Sequence, residues 1–323
     1  MSDPHAVTAA LPAYTRYVAS RGGTLRRWWL HTTLRLTVKR MDVLNVNIAT
    51  LRAQQAMLDN RVARIDAEAR RTAVDCAGVP AEWIEVPETR SERVLLYIHG
   101  GAFMFRFPST HAGIIARWCR PLGARSLMVD YRLAPENPYP AALDDCHTAY
   151  RWLLEQGHDP RNIVLGGDSA GGNLALATLH RIKAAGEPMP ACAALLSPVT
   201  DFTVSGRSII ANERSDPMFA ISGLLAMRAL YATPERFLDP FVSPLFGDFA
   251  GFPPLMFQVG GIEVLVDEST RAAARAHAAG VLVEVEIWEK MAHVFQAFAM
   301  LPQAAEATDS VVRFIRARAG WGP

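Results

Sequence analysis

Continuous runs of apolar residues, rather than alternating ones, dominate the middle of the chain. Five of these runs predict buried strands, at 94–98, 126–130, 163–165, 193–196 and 255–259, and a sixth strand is predicted at 281–287. Strands that are apolar throughout are typical of parallel sheets covered on both faces. Helical stretches separate most of them, at 110–120, 141–156, 173–185, 267–279 and 304–318. This alternation predicts an α/β fold with a mostly parallel central sheet flanked by helices.

Two segments depart from this alternation. Residues 1–72 contain no Gly or Pro after Gly23 and are rich in Arg, Ala and Leu, so we predict that they are helical. A second segment, between the strands that end near 197 and begin at 255, is rich in Phe, Met, Pro and Leu. Both are interpreted as a helical cap over the carboxyl ends of the strands, where open α/β sheets bind ligands. The predicted organisation is N-terminal cap helices at 1–80, an α/β domain at 81–202 and 248–323, and a second cap segment at 203–247.

The net charge of +1 over 323 residues gives no reason to expect a nucleic-acid partner. The charge is uneven, however, because residues 1–40 hold seven basic residues against Asp3, a net charge of +6. The part of this segment around Trp28 and Trp29 is basic and aromatic, so it could lie on an anionic lipid surface. We favour the alternative, in which its apolar residues pack on the α/β domain and its arginines are solvated.

The four cysteines are widely spaced and form no C-x-x-C pair. This spacing argues against a zinc knuckle or a disulfide scaffold and is typical of a reducing compartment. The N-terminus lacks the basic-then-apolar order of a signal peptide, and no apolar run approaches the roughly 18 residues that span a bilayer. These features predict a cytoplasmic protein.

The segment 167–171 reads G-D-S-A-G and lies between a predicted buried strand and a predicted helix. G-x-S-x-G in this setting is the nucleophile elbow of α/β-hydrolases, which predicts Ser169 as a nucleophile. In such enzymes the acid and then the histidine follow the serine along the chain. His293 comes directly after the last predicted strand, so we predict that it is the general base.

The acid of this set should lie on the loop after the strand at 255–259. Glu263 and Asp267 are the candidates. Glu263 is at the end of the strand and is favoured, whereas Asp267 comes where the next helix begins and would serve as an N-cap or interact with the helix dipole.

An oxyanion needs preorganised backbone donors. The segment 99–103 reads H-G-G-A-F and follows the first buried strand, as the HGGG-type loop of esterases does. The predicted donors are the amides of Gly100, Gly101 and Ala170, and His99 is expected to hold the turn rather than transfer protons. We predict no metal site, because no second His or Cys stands at ligand spacing from His99.

Taken together, these motifs resemble the hormone-sensitive-lipase-like family of bacterial esterases. The D-Y-R-L-A-P-E segment at 130–136 and G-D-S-A-G-G at 167–172 also match the family's motifs, and the resemblance covers roughly residues 80–318. It implies an α/β-hydrolase fold with Ser169, Glu263 and His293 as catalytic triad. One departure is the acid loop, where many members have D-P-L-x-D and this chain has E-V-L-V-D at 263–267.

The resemblance further implies hydrolysis of carboxylic esters with short to medium acyl groups, through an acyl-enzyme and without a cofactor. The expected partner is a small-molecule ester, and the chain is expected to be a monomer or a homodimer. The alternative is a lactone hydrolase or a deacetylase of a small natural product that uses the same triad, because the cap rather than the triad selects the substrate. A non-catalytic receptor with this fold is disfavoured, since His293 is present.

Overall fold

The computed structural model describes residues 11–40, 47–62 and 66–322. Nine strands in these ranges form one sheet. Their bounds are β1 Thr15–Val18, β2 Arg70–Cys76, β3 Val79–Glu85, β4 Val94–Ile98, β5 Arg125–Val129, β6 Ile163–Asp168, β7 Cys192–Leu196, β8 Leu255–Gly260 and β9 Val283–Trp288. The strands lie in the order β1-β9-β8-β7-β6-β4-β5-β3-β2. Neighbouring strands are parallel except at β3, which runs antiparallel to β2 and β5. The mostly parallel sheet and its six predicted strands are confirmed.

Nine α-helices occur in the same ranges. They are α1 Thr24–Thr37, α2 Ile48–Val62, α3 Pro108–Leu122, α4 Ala141–Glu155, α5 Ala170–Ala185, α6 Arg207–Ala211, α7 Ile221–Tyr231, α8 Val266–Ala278 and α9 Pro302–Ala319. The apolar residues of α3 and α9 form one core cluster, and those of α4, α5 and α8 form another. Alternate strand residues contribute to the two clusters, as Leu95 and Leu96 do. The sheet is therefore buried on both faces, which explains the continuous apolar runs.

The prediction that residues 1–72 are helical, and that cap helices extend to residue 80, is wrong at two places. β1 pairs in parallel with β9 at one edge of the sheet, and β2 pairs with β3 at the other edge. Both β1 and β2 are partly exposed, so neither has the continuous apolar run that marks the central strands. The boundary at residue 81 also falls inside β3. The predicted helical character of residues 1–10, 41–46 and 63–65 lies outside the described residues.

The predicted packing of the basic N-terminal segment is correct for only one face of α1. Leu30 and Leu34 are buried in a third cluster with residues of β9 and the loop after it. Trp28 and Trp29, on the opposite face, are exposed. Because α1 meets the rest of the protein on one side, the segment buries only part of its apolar surface. No helix in the described ranges is both long enough and apolar enough to cross a membrane.

The inserted segment at 203–247 contains α6 and α7 and packs on the same core cluster as α4 and α5. Leu224, Met227 and Tyr231 of α7 are buried in that cluster. Phe219, Phe237 and Phe241 are partly buried against it. The aromatic residues of this insertion are therefore in contact with the core, unlike the two tryptophans of α1.

Glu268, in the first turn of α8, is a fully buried carboxyl group. Its Oε2 accepts hydrogen bonds from the Thr200 amide, at 2.6 Å, and from Thr200 Oγ1, at 2.9 Å. Burial, followed by the negative charge of Asp201, raises the pKa of Glu268 to about 8. The folded protein therefore binds a proton that the unfolded chain releases at a much lower pH.

We predict that this group makes the folded protein less stable as the pH rises from about 5 to 8. The folded pKa is about 8 against an ordinary value of 4.5, so the folded state binds more protons in that interval and the free energy of unfolding falls as pH rises. Glu268→Gln keeps an acceptor oxygen for Thr200 and cannot ionise. Its free energy of unfolding, measured by urea denaturation, should decline less over this range and exceed that of the wild type at pH 8.

The control is Glu306→Gln, which changes an exposed glutamate of α9 and should leave the pH dependence of the wild type in place. If Glu268→Gln and the wild type lose stability in parallel between pH 5 and 8, Glu268 is ionised throughout and the prediction is wrong.

Candidate active site

Ser169 lies in a tight turn between β6 and α5, with backbone angles φ 53° and ψ −119°. This left-handed φ is unfavourable for a residue with a Cβ, so the turn must be held by its surroundings. The flanking glycines leave no room for side chains: a Cβ on Gly171 would lie 2.0 Å from the Ile98 carbonyl oxygen, and one on Gly167 would lie 2.5 Å from that of Gly171. The close approach of β4 to Gly171, and of Gly167 to Gly171 within the turn, therefore explains the G-x-S-x-G pattern.

His293 and Glu263 are in direct contact. Nδ1 of His293 is 2.5 Å from Oε2 of Glu263, and both side chains are buried. The other oxygen of Glu263 accepts hydrogen bonds from Ser197 Oγ, at 2.7 Å, and from the Gly260 amide, at 2.6 Å. A carboxylate acceptor at Nδ1 fixes the proton on that nitrogen and leaves the lone pair on Nε2. This is the tautomer that a general base needs.

Nε2 of His293 is buried and has no hydrogen-bond partner among the described residues. The hydrogen bond from Ser169 Oγ to this nitrogen is thus not formed in this structure. Both residues nevertheless lie at the same edge of the sheet, because Ser169 follows β6 while Glu263 and His293 follow the nearby β8 and β9. In enzymes without substrate such contacts are often long and shorten on binding.

Asp267 is engaged elsewhere. Its Oδ2 accepts a hydrogen bond from the Ser208 amide at 3.0 Å, and its own amide donates to Ser208 Oγ at 3.0 Å. It lies in the first turn of α8, whose N-cap is Leu265, so the N-cap interpretation is wrong and the dipole interpretation fits. Asp267 joins α6 to α8, and Glu263 is the carboxylate that contacts His293.

Gly100 is not available as an oxyanion donor, which corrects the prediction from the sequence. Its amide donates to Oδ1 of Asp168 at 3.0 Å, and a Cβ on Gly100 would lie 2.1 Å from Oδ2 of that residue. The glycine is required there by close packing against Asp168. The amides of Gly101 and Ala102 have no hydrogen-bond partner in the described part of the chain, and that of Ala170 opens α5, where amides lack intrahelical partners.

The carboxylate of Asp168 connects the oxyanion loop to the turn that carries Ser169. Besides the Gly100 amide it accepts a hydrogen bond from Tyr97 Oη at 2.9 Å, and His111 Nε2 lies 3.3 Å from Oδ2. Burial alone would raise the pKa of Asp168, but the His111 charge and these hydrogen bonds lower it below the ordinary value. Against its own burial, His111 has a raised pKa because of the Asp168 charge. The two form a buried ion pair next to the turn that carries Ser169.

His99 has the structural role predicted for it. Its Nδ1 is 2.8 Å from the Gly100 carbonyl oxygen, and its ring stacks on Tyr131 with 4.2 Å between centroids. Burial, then the neighbouring His111, lowers the pKa of His99 to about 3. The ring is therefore neutral and holds the turn of the oxyanion loop.

Two residues that support the acid were missed by the sequence analysis, Ser197 and Asp216. Ser197 Oγ donates to Glu263 and accepts from the Val294 amide at 3.3 Å. The buried Asp216 uses Oδ2 to accept from the Val264 amide at 2.8 Å and Oδ1 to accept from the Met218 amide at 2.7 Å. The sequence gives one indication of Ser197, which is that it directly follows a predicted strand. Nothing in the local sequence distinguishes Asp216 from a loop aspartate.

Left-handed backbone conformations cluster around this site. Ala102 and Phe103 in the oxyanion loop, Ser197 after β7 and Val294 beside His293 all have positive φ, between 45° and 61°, as Ser169 does. Such conformations cost roughly 1–3 kcal/mol each and persist where the surroundings impose them. The site is therefore a strained arrangement that the rigid sheet edge maintains.

Comparison with known proteins agrees with this geometry. A family model described as alpha/beta hydrolase fold matches residues 95–297. An acetyl-hydrolase of Streptomyces hygroscopicus is 37% identical over 243 residues, which are 75% of this chain and 81% of that protein. An esterase of Acinetobacter venetianus is 38% identical over 240 residues, 74% of this chain and 79% of that protein.

Among solved structures, an esterase from the bacterial hormone-sensitive lipase family superposes with a TM-score of 0.86 at 37% identity, over 93% of this chain and 99% of that one. Those relatives are named esterases or acetyl-hydrolase, and the matches extend over most of both chains. The chain belongs to the hormone-sensitive-lipase-like family of α/β-hydrolase esterases and is a carboxylic ester hydrolase.

Proposed function

We propose that this serine carboxylesterase cleaves short- to medium-chain acyl esters of small molecules through an acyl-enzyme. The observation that carries the proposal is the Glu263–His293 contact at 2.5 Å, which leaves Nε2 of His293 free at the sheet edge that also carries the strained Ser169. A nucleophile, a base and an acid that orients the base are the parts that acyl transfer requires.

In this proposal Ser169 Oγ attacks the ester carbonyl carbon while Nε2 of His293 takes the hydroxyl proton. Glu263 stabilises the imidazolium that results. The amides of Gly101, Ala102 and Ala170 bind the oxyanion, since the Gly100 amide is already bonded to Asp168. His293 returns the proton to the leaving alcohol, which breaks the ester bond and leaves the acyl group on Ser169. Water then repeats the two steps and releases the acid.

The cap assigned to the N-terminal helices and to 203–247 would limit the acyl chain. Two contacts support this role for the inserted segment. The Phe219 ring meets the His293 ring edge-on, with 4.6 Å between centroids. Tyr231 of α7 stacks on Phe103 of the oxyanion loop at 3.8 Å. Apolar side chains of this segment thus lie against both the base and the oxyanion loop, where they would border a bound acyl group.

A deacetylase of a small acetylated natural product is the second candidate. It has the same site and is favoured by one observation, the relative from Streptomyces hygroscopicus that is named an acetyl-hydrolase. A lactone hydrolase would need no change in the three catalytic residues either. Simple esters, acetylated natural products and lactones differ only in the groups around the carbonyl. The catalytic residues therefore do not distinguish them, and measured hydrolysis rates must do so.

We predict that Ser169→Ala lowers kcat at least about a thousandfold, the scale expected when a triad loses its nucleophile. The measurement is hydrolysis of p-nitrophenyl butyrate, together with labelling of the protein by a fluorophosphonate probe, which the variant should not accept. Glu306→Gln, a change at an exposed position of α9, is the control and should retain both activities. A folded Ser169→Ala variant with more than a tenth of the wild-type rate would exclude Ser169 as the sole nucleophile.

We also predict an optimum in acyl chain length. Each added methylene gains about 0.8 kcal/mol only while there is room to bury it, or roughly fourfold in kcat/KM. Across p-nitrophenyl esters, kcat/KM should rise from acetyl to about butyryl or hexanoyl and fall well before palmitoyl. A monotonic rise of kcat/KM to palmitoyl would contradict a cap that limits the acyl chain. A lactone or an acetylated amide with a higher kcat/KM than every simple ester would favour the second candidate.

Asp216 should act as a positioning residue for the acid loop. In Asp216→Asn the amide nitrogen would replace one acceptor oxygen and face either the Val264 amide or the Met218 and Phe219 amides, which are also donors. Displacement of Glu263 and His293 by a fraction of an ångström should lower kcat by about tenfold or more. KM should change little, because Asp216 would not touch the substrate.

The matched control is Asp248→Asn, which alters an exposed aspartate paired with Lys183. The rate of fluorophosphonate labelling separates positioning from simple stability, because it reports the reactivity of Ser169 in molecules that remain folded. If Asp216→Asn unfolds at a lower temperature yet is labelled at the wild-type rate, Asp216 has a purely structural role.

A further inference from the structure

The outer face of α1 is an exposed apolar surface. Leu25 is 77% exposed, Trp28 62%, Trp29 58% and Leu36 56%. At about 100° per residue these positions fall on one side of the helix. The opposite side holds Leu30 and Leu34, which are buried. We call the four exposed residues the outer face of α1. Two large aromatic rings side by side in water are unusual for a surface that has no partner.

Positive charge borders this face, and no negative charge does so along the same segment. The sequence from 11 to 40 contains no Asp or Glu. Arg21, Arg26, Arg35 and Arg40 are exposed, and in the described part of the chain none of them forms an ion pair with a carboxylate. On a helical projection Arg26 and Arg35 lie on opposite sides of the outer face.

The hydrogen bonds that attach α1 to the rest of the protein do not neutralise these arginines. An Arg26 nitrogen donates to the Met300 carbonyl oxygen at 2.9 Å, and an Arg35 nitrogen donates to that of Ser215 at 3.0 Å. Because the acceptors are neutral carbonyl groups rather than carboxylates, the helix is fixed while its net positive charge remains at the surface.

The outer face also lies close to the active site. Leu30 and Leu34, on the inner side of the helix, pack with Met291 and Ala292, which directly precede His293. A helix with its side chains is about 10–12 Å across, so the outer face is separated from the base loop by the thickness of one helix.

We propose that the outer face of α1 docks on an anionic lipid surface. Tryptophans partition to the boundary between headgroups and acyl chains, and the flanking arginines would contact lipid phosphates. A second copy of the chain is a poorer partner for this face. A two-fold arrangement would set the same basic borders against each other, and like charges across an interface are unfavourable. The docking surface goes beyond ester hydrolysis and would bring the base loop towards lipid-borne esters.

The test is sedimentation of the full chain with vesicles of phosphatidylcholine, with and without about a third of phosphatidylglycerol. Ser169→Ala is used as the background so that the lipids stay intact, which also makes the result independent of turnover. The protein should bind the anionic vesicles, with a blue shift of tryptophan fluorescence, and should be released by high salt. Trp28→Ser/Trp29→Ser should lower the partition coefficient by at least about tenfold.

Two further variants make the result specific. Leu238→Ser changes an apolar residue that is 66% exposed outside α1, and should bind as the parent does. Arg21→Gln/Arg40→Gln removes two charges that make no hydrogen bond within the described residues, and should weaken binding to anionic vesicles severalfold. This second variant keeps the test valid even if the tryptophan variant folds poorly.

Several results would overturn the proposal. One is that the Ser169→Ala parent protein does not sediment with the anionic vesicles at low salt. Another is that it binds equally to vesicles with and without phosphatidylglycerol. A third is a parent dimer, seen by analytical ultracentrifugation, that the tryptophan variant converts to monomer while vesicle binding is absent. That last result would make the outer face a contact between copies of this chain.

Discussion

The hydrogen bonds to the buried carboxylate of Glu263 join the segments that form the candidate active site. A charge removed from water is costly unless hydrogen bonds replace its hydration. Its partners come from three places: Ser197 after β7, the Gly260 amide at the end of β8, and His293 after β9. These sites meet only because the three strands are adjacent and parallel, so that their carboxyl ends share one edge. The order of the sheet is thus what makes the acid–base pair possible.

A second buried carboxylate, that of Asp168, lies next to Ser169 and is stabilised in the same way. Asp168 binds Gly100, Tyr97 and His111, and it is the residue directly before Ser169. Glu263 binds His293, and Asp168 binds the first glycine amide of the loop at 99–103, so the segments on either side of the Ser169 turn are held in place. Apart from the Gly260 amide, which is three residues from Glu263, the partners of each carboxylate are distant from it in sequence. This accounts for a strained turn that is maintained although the Ser169 hydroxyl forms no hydrogen bond with the described residues.

The features that could be predicted from the sequence are those that depend on neighbouring residues rather than on tertiary contacts. Central strands such as β4 are apolar throughout, and the serine turn has a pattern imposed by close packing, so both could be identified. β1 and β2 could not, because edge strands are half exposed and gain their structure from a neighbour. The Gly100 prediction failed for a related reason. The H-G-G-A-F pattern shows that the loop approaches other backbone closely, but it does not show that Asp168 takes the first glycine amide. The role of Asp216 depends on a contact with Val264 across the fold.

The exposure of Trp28 and Trp29 could not be predicted for a related reason, because it depends on which side of α1 the rest of the protein covers. Periodicity identifies an amphipathic helix, yet α1 has apolar residues on both sides, and only tertiary contacts decide which side is buried. The inner side packs on the loop of His293, while Lys39, just past the helix, donates to the Asp216 carbonyl oxygen at 2.6 Å. The same segment therefore steadies the base loop and the loop that supports the acid. Because these attachments use the inner side and carbonyl acceptors, they leave the apolar outer face and the exposed arginines accessible.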